Sequence, residues 1–333
     1  MIIVIGGSGF IGSYLVDGLL AEGREVFATG NSNLNHEYYA AKGIRCAQVD
    51  ITKQQDFERL PKENIDAVIL LAGLMPANDP GGAQQRYVDV NMTGTLNVLE
   101  YCRLNKAKKI IFASSHNDVA GLWGRNRPIT EEDPCTIIYT GDHAVYVVIK
   151  IAAVKLVEHY HQKHGITGIS FRLANVYGYG PHTEIYVNGK PWVPGFTTFI
   201  RKAMAGDTIE IWGDRSKGRD FVYVQDVVGA FIKAIDSGTA HGLYNIASGV
   251  STSLDEEVQS IIEVFSPPGH RSAIRYRPDM PEKPNYSYLY DINKARRDFN
   301  YEVRYPFMRM LQDIKQEMIR QRFPHLIRRE KKV

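Results

Sequence analysis

A short apolar run, Ile2–Ile5, ends in Gly6-Gly7-Ser8-Gly9-Phe10-Ile11-Gly12, and an amphipathic pattern over Ile11–Ala21 follows with no linker. Few folds accommodate glycines at this spacing between a strand and a helix. Gly6 permits a tight turn, Gly9 lets the backbone approach a pyrophosphate, and Gly12 lets helix and strand pack closely. The helix N-terminus offers free N–H groups and the positive end of its dipole to phosphates. Position and spacing together predict a dinucleotide site lined by Gly6, Gly9, Phe10, Ile11 and Gly12. The alternative is a glycine-rich turn that binds nothing.

The periodicity beyond this turn alternates short apolar strands with longer helices. Strands are predicted at Ile2–Ile5, Glu25–Ala28, Arg45–Gln48, Ala67–Leu71, Lys109–Ala113 and Gly168–Leu173, and helices at Ile11–Ala21, Tyr87–Leu104 and Asp142–His164. Runs such as Ala67-Val68-Ile69-Leu70-Leu71 lack polar alternation, as strands covered on both faces do. The fold class expected is α/β: a Rossmann-type doubly wound parallel sheet. Past residue 175 glycine and proline become denser and the alternation loosens. The expected division is a dinucleotide-binding domain over 1–174, with a return segment near 219–246, and a smaller interleaved substrate-binding portion over 175–333 that ends in a basic tail.

A dinucleotide site has a second checkpoint at the end of the second strand, where an acid grips the ribose hydroxyls of NAD. Here the chain reads Thr29-Gly30-Asn31-Ser32-Asn33, with neither acid nor arginine. Asn31 and Ser32 suit either NAD or NADP. Asp50 and Ile51, after the third strand, are placed to meet the adenine. The competing reading makes Asp50 the N-cap of a helix over Thr52–Leu60.

Tyr-x-x-x-Lys sets a phenol and an ammonium one turn apart on a helix. A lysine charge favours phenolate, which makes the tyrosine a usable general base. The pattern occurs four times: Tyr38/Lys42, Tyr146/Lys150, Tyr186/Lys190 and Tyr290/Lys294. The third spans Asn188-Gly189, a turn signal. The second lies in a long helix after the strand that ends in Ser114-Ser115, at the edge where an α/β sheet binds ligand. Tyr146, Lys150 and Ser115 are therefore the candidate catalytic residues; the competing reading of Tyr146 is a packing aromatic among Val145, Val147 and Val148.

Composition closes off other classes. The net charge is +3, and the stretch Arg320–Val333 alone carries six Lys/Arg against one Glu, so the body is close to neutral. That argues against a nucleic-acid surface. The longest apolar stretch, Ala67 to Met75, is far shorter than the roughly 20 residues of a membrane helix. The N-terminus lacks a basic leader, and three cysteines without paired spacing suggest a reducing compartment and no zinc site. A cytoplasmic protein with no metal is expected.

The chain resembles the extended short-chain dehydrogenase/reductase superfamily, in particular the NAD-dependent epimerase/dehydratase family acting on nucleotide sugars. The resemblance rests on the glycine turn, Leu70-Leu71-Ala72-Gly73, Asn91-Met92-Thr93-Gly94-Thr95, Ser114-Ser115, Tyr146-x-x-x-Lys150, Arg172-Leu173-Ala174-Asn175-Val176-Tyr177-Gly178, Gly218-Arg219-Asp220-Phe221 and Tyr244-Asn245-Ile246-Ala247-Ser248-Gly249. It implies that Tyr146 transfers protons, Lys150 binds the nicotinamide ribose, and Ser115 bonds the reacting oxygen. It also implies that Leu71, Ala72, Gly73 and Leu173 line the cofactor. Asn91 is grouped with them and read as tying the fourth strand to the long helix. Asn175 would contact the substrate's diphosphate and Arg219 clamp it, with Arg277 a second phosphate ligand. An ion pair with Asp220 or Asp226 is the competing reading for Arg219. The helices near 87–104 and 142–163 resemble the family's dimer interface.

Departures from the pattern matter too. Ser-Ser-x-x-Val-Tyr-Gly is replaced by Ser114-Ser115-His116-Asn117-Asp118-Val119-Ala120-Gly121, and no Asp-Glu pair follows the serine, which argues against a sugar dehydratase. The run is similar to that of uronate dehydrogenases. His116 is a candidate substrate contact, or else a satisfied loop histidine. The leading expectation is a nucleotide-sugar epimerase working through a transient keto-sugar. The alternatives are a net sugar dehydrogenase or reductase and, remotely, a non-catalytic cofactor-binding protein.

Overall fold

The computed structural model describes residues 1–31, 36–81, 83–141, 143–181, 183–280 and 286–327. The first half alternates as its pattern predicts: β1 (Ile2–Ile5), α1 (Phe10–Ala21), β2 (Val26–Gly30), α2 (His36–Ala40), β3 (Arg45–Gln48), β4 (Ala67–Leu70), α3 (Gln84–Tyr87), α4 (Gly94–Leu104), β5 (Lys109–Ser115), α5 (Ala144–His164) and β6 (Thr167–Leu173). There follow β7 (Asn175–Tyr177), β8 (Ile185–Val187), β9 (Lys190–Trp192), α6 (Gly195–Ala205), β10 (Ile209–Trp212), β11 (Gly218–Tyr223), α7 (Val224–Asp236), β12 (Gly242–Ile246), β13 (Ser251–Ser253), α8 (Leu254–Phe265), β14 (Ile274–Arg277), α9 (Asn293–Phe299), α10 (Phe307–Arg320) and α11 (Pro324–Ile327).

Seven parallel strands form the main sheet in the order β12-β6-β5-β4-β1-β2-β3. The chain winds outward from β1 through β2 to β3, then returns to place β4 on the other side of β1. That reversal opens a crevice at the carboxyl ends of β1 and β4, where doubly wound sheets bind ligands. Strands β1, β4 and β5 are buried along their whole length, one face under α1 and α7 and the other under α4 and α5. Smaller sheets make up the rest: β13-β11-β7, β10-β14 and the hairpin β8-β9. Among the described residues no helix is long and apolar enough to cross a membrane.

Where the structure departs from expectation, local bonding explains it. β5 runs on to Ser115 because β6 pairs with it residue for residue, Lys109 opposite Thr167 through Ser115 opposite Leu173. β2 is shifted to end at Gly30, which pairs with Gln48 of β3. The helix expected over Tyr87–Leu104 passes through a π turn at Val88–Thr93, where the Asn91 amide bonds both the N–H and the carbonyl of Leu74 at 2.9 and 2.8 Å. Just beyond, Gly94 makes room for Ile51, since a Cβ there would stand 2.6 Å from its side chain. The long helix begins at Ala144; Asp142, its expected start, lies outside the described residues. Over Thr52–Leu60 there is only a 3₁₀ turn, Gln54–Arg59, whose N-cap is Lys53, not Asp50. Asp50 instead accepts from the N–H and hydroxyl of Thr52.

Candidate active site

The glycine turn is closed by backbone contact. Gly6 sits at φ +90°, and a Cβ on it would lie 2.6 Å from the Ala72 nitrogen. A Cβ on Gly12 would lie 2.2 Å from the Gly6 carbonyl, so nothing larger fits where α1 leaves the strand. Gly9 is the N-cap of α1 in extended conformation and supplies no side-chain cap, which leaves the first-turn N–H groups facing the crevice mouth. Phe10 turns its ring onto Gly178 and Gly180, joining the turn to the loop after β7. The N–H groups of Leu71 and Ala72 both donate to Ile5, which fixes the β4 exit beside the turn. A Cβ on Gly73 would stand 2.9 Å from the Asn91 amide oxygen and 3.7 Å from Lys150 Nζ, so Gly73, Asn91 and Lys150 meet at one point.

On the adenine side the placement is looser. Asn31 is exposed at the end of β2, its carbonyl accepting from Gln48 at 3.1 Å. Ser32 lies outside the described residues. Asp50 is partly exposed but spends one oxygen on Thr52. Ile51 is buried against Gly94, and its carbonyl accepts from Asn97.

Ser115, at the carboxyl end of β5, and Tyr146, in the first turn of α5, bring their hydroxyls close together. Lys150, one turn further along α5, donates to the Ala113 carbonyl at 2.7 Å and lies 5.8 Å from the Tyr146 ring. All three side chains are buried. Burial pushes the Tyr146 phenol up to about 12 against the opposing effect of Ser115, and pushes the Lys150 ammonium down to about 7. Each shift disfavours a lone charge, so in this enclosure a phenolate needs the ammonium beside it. Ser114, on the same strand, keeps its buried hydroxyl without a hydrogen-bond partner. A glycine cradle, an uncapped helix end, an orphaned hydroxyl and a buried lysine beside one another fit a dinucleotide.

Local structure sets the other three Tyr-x-x-x-Lys pairs aside. Lys42 bonds Tyr38 and Asp17 on the outer side of α1. Tyr186 and Lys190 stand on the two arms of the β8–β9 hairpin, with Asn188 and Gly189 at positive φ in its turn. Lys294 caps the Leu243 carbonyl.

Beyond Ser115 a polar network runs toward the smaller sheets. Trp123 Nε1 donates to the Tyr290 hydroxyl, which stands 3.1 Å from His116 Nδ1. The tyrosine hydrogen is thus available to Nδ1, and Asn175 also stands close to the ring. Asn175 in turn donates to the Tyr288 hydroxyl at 2.6 Å. Burial holds His116 neutral, down to about 4, and its ring is enclosed by Trp123, Tyr288 and Tyr290. His116 thus has the surroundings of a satisfied histidine, the competing reading of that residue. Leu173 is buried, paired with Ser115 across the sheet.

Arg219, on β11, takes neither expected partner. Asp220 accepts from Ser248, Gly249 and Tyr290, and Asp226 from the N–H groups of Arg304 and Tyr305. Arg219 Nη2 instead donates to Glu257 at 2.9 Å. Arg277, on β14, pairs with Asp279 and with Glu210. Sequence reasoning missed Trp123, Tyr288, Tyr290 and Glu257. Only Glu257 left a signal: it occupies the apolar stripe it shares with Ile261 and Phe265 of α8.

Comparisons with known proteins bear on the family and the fold. Residues 2–247 match the model of the NAD dependent epimerase/dehydratase family. The UDP-glucose 4-epimerase of Mycolicibacterium smegmatis is 28% identical, over 76% of this chain and 79% of that protein. The UDP-N-acetyl-alpha-D-glucosaminuronate decarboxylase of Bacillus cytotoxicus is also 28% identical, over 78% of each chain. Among solved structures, the UDP-glucose 4-epimerase of Thermotoga maritima with UDP-glucose superposes at a TM-score of 0.77, with 24% identity, over 96% of this chain and 99% of that one.

Proposed function

Because the chain belongs to the NAD-dependent epimerase/dehydratase family, we propose that it is a nucleotide-sugar epimerase working through a transient keto-sugar. One observation carries the reading: the Ser115–Tyr146 hydroxyl pair, with Lys150 one turn on, is buried at the carboxyl edge of β5 beside an intact dinucleotide turn. Ser115 bonds the reacting sugar oxygen and holds it toward Tyr146. Tyr146 takes the hydroxyl proton as the ketone forms and gives it back when the ketone is reduced on its other face. Lys150 supplies the positive charge that a buried phenolate needs and binds the nicotinamide ribose. NAD or NADP, when bound, takes up a hydride and returns it. Gly6, Gly9, Gly12, Asn31, Asp50, Ile51, Leu71, Ala72, Gly73 and Leu173 form the cofactor's surroundings, and Asn175 and Arg219 the substrate's.

In the same reading, residues 1–174 with the return segment near 219–246 bind the cofactor and the remainder binds substrate. The protein works in the cytoplasm as a homodimer through α4 and α5, whose outer faces leave Leu96 and Val148 exposed at 41% and 48%. A second reading, a net sugar dehydrogenase, is favoured by the carboxylate pairing of both expected phosphate arginines.

The test is to denature the purified protein, identify the released dinucleotide, and then offer nucleotide sugars while following absorbance at the reduced-nicotinamide band. An epimerase interconverts sugars with no net signal, whereas a dehydrogenase accumulates it. A protein that carries no nicotinamide and interconverts no nucleotide sugar defeats the proposal.

A further inference from the structure

α8 is capped without help from Glu257. Ser253 and Glu256 form a reciprocal capping box, and Asp255 adds a further acid to the first turn. Glu257 faces the other way, into the stripe of Val258, Ile261, Ile262 and Phe265, with no exposed side-chain surface. For packing alone an apolar residue costs less at such a position. One carboxylate oxygen accepts from Arg219, and the other is buried with no partner. Its burial is therefore accounted for by the arginine, which keeps 28% of its side chain exposed. Burial raises the Glu257 carboxyl above its ordinary value, and the Arg219 guanidinium opposes that rise.

Around Arg219 stand the Phe221 ring, 5.1 Å from the guanidinium, and the two phenols of Tyr177 and Tyr288. Tyr288 carries the Asn175 bond described above. The arginine thus sits at the open end of the polar network that begins at Ser115. One of its nitrogens is spent on Glu257, and 28% of the side chain stays exposed.

We propose that Glu257 is a positioning residue for Arg219: it fixes the guanidinium at the substrate cleft and cancels much of its charge, so the cleft takes its anionic group on a neutralised arginine. This rests on reading Arg219 as the substrate's phosphate clamp. A phosphate group approaching the pair meets an attraction weakened by the carboxylate behind it, which favours turnover and release over tight capture.

Glu257→Gln keeps the shape and an acceptor while removing the charge, and Glu257→Leu removes both. Binding of inorganic pyrophosphate and of uridine diphosphate is measured by calorimetry on the full chain at two ionic strengths. The expectation for Glu257→Gln is pyrophosphate binding tightened about tenfold, with a steeper loss on adding salt, because one opposing charge a few ångströms away is gone. Glu257→Leu weakens binding, and a change in the KM for substrate exceeds any change in kcat. Structural damage alone cannot tighten binding, so Glu257→Gln carries the test even where Glu257→Leu fails to fold. Pyrophosphate bound by Glu257→Gln no more tightly than by the natural chain overturns the proposal, as does a natural chain that binds no pyrophosphate. If pyrophosphate responds as expected but uridine diphosphate does not bind, the nucleotide-sugar reading fails and the role of Glu257 stands.

Discussion

At the scale of single residues, the proposed chemistry depends on two side chains that burial pushes in opposite directions. The Tyr146 phenol is raised to about 12 and the Lys150 ammonium lowered to about 7. The lysine is the first of the two to lose its proton. Below about pH 7 the pair holds both protons and has no base to offer. Losing one proton near 7 gives a neutral pair that can rearrange to phenolate and ammonium, the form able to accept a proton from a sugar hydroxyl. The rate of the oxidative half-reaction should therefore rise with pH through about 7 and then level. Lys150→Met leaves the phenol alone near its raised value. Its rate should stay low at neutral pH and climb about tenfold per unit toward 12. Tyr146→Phe should lose roughly 10²–10⁴ of the rate at every pH. Single-turnover reduction of the bound nicotinamide across pH checks all three; an unshifted limb in Lys150→Met removes the lysine from the proton chemistry.

The element scale explains why the glycine turn was legible. Gly12 is forced by a contact of backbone with backbone, which no neighbouring side chain can relieve. Gly12→Ala must displace the turn, at a cost of about 1–3 kcal/mol. A lowered melting temperature and loss of dinucleotide from the purified protein are expected together; full retention of cofactor at unchanged stability would contradict the role given to the turn. The strands were legible for a related reason, since a parallel sheet covered on both faces demands unbroken apolar runs. The π turn at Val88–Thr93 was not, because it depends on Asn91 reaching Leu74 across 17 residues. Glu257 was missed because Asp255-Glu256-Glu257 after Ser253 reads as an acidic first turn facing water. Its burial comes from Arg219, 38 residues away. The exposed apolar faces of α4 and α5 carry a further prediction. If the proposed homodimer forms there, Leu96→Glu combined with Val148→Glu should leave the fold intact and convert it to monomer in sedimentation velocity, because a stable interface needs roughly 800 Å² from each partner and a charge at its centre is not tolerated.

For the molecule as a whole, the main sheet and the smaller sheets are joined through Tyr290, and two buried ionisable groups sit at either end of that residue. His116, just beyond β5, meets the Tyr290 hydroxyl, and Asp220, on β11, accepts from the Tyr290 N–H. Burial lowers His116 to about 4 and raises Asp220 to about 6, the latter despite the Ser248, Gly249 and Tyr290 donors. Their contributions to stability have opposite signs. Between about 6.5 and 4 the unfolded chain protonates its histidine while the native protein does not, so acidification costs stability at His116. Between about 6 and 3.8 the native protein protonates Asp220 while the unfolded chain remains ionised there, so acidification restores stability at Asp220. Over the shared window the two slopes, each of about 1.4 kcal/mol per pH unit when fully developed, oppose each other. Replacing one group uncovers the other. Relative to the natural chain, His116→Asn should gain stability as the pH falls from about 6.5 to about 4, whereas Asp220→Asn should lose it faster. Urea unfolding at a series of pH values reads these slopes directly, and comparing slopes discounts whatever constant penalty each substitution carries. If both variants kept the slope of the natural chain, the two groups would have to titrate in the native state as they do in the unfolded one, which their enclosure at the junction of the sheets forbids.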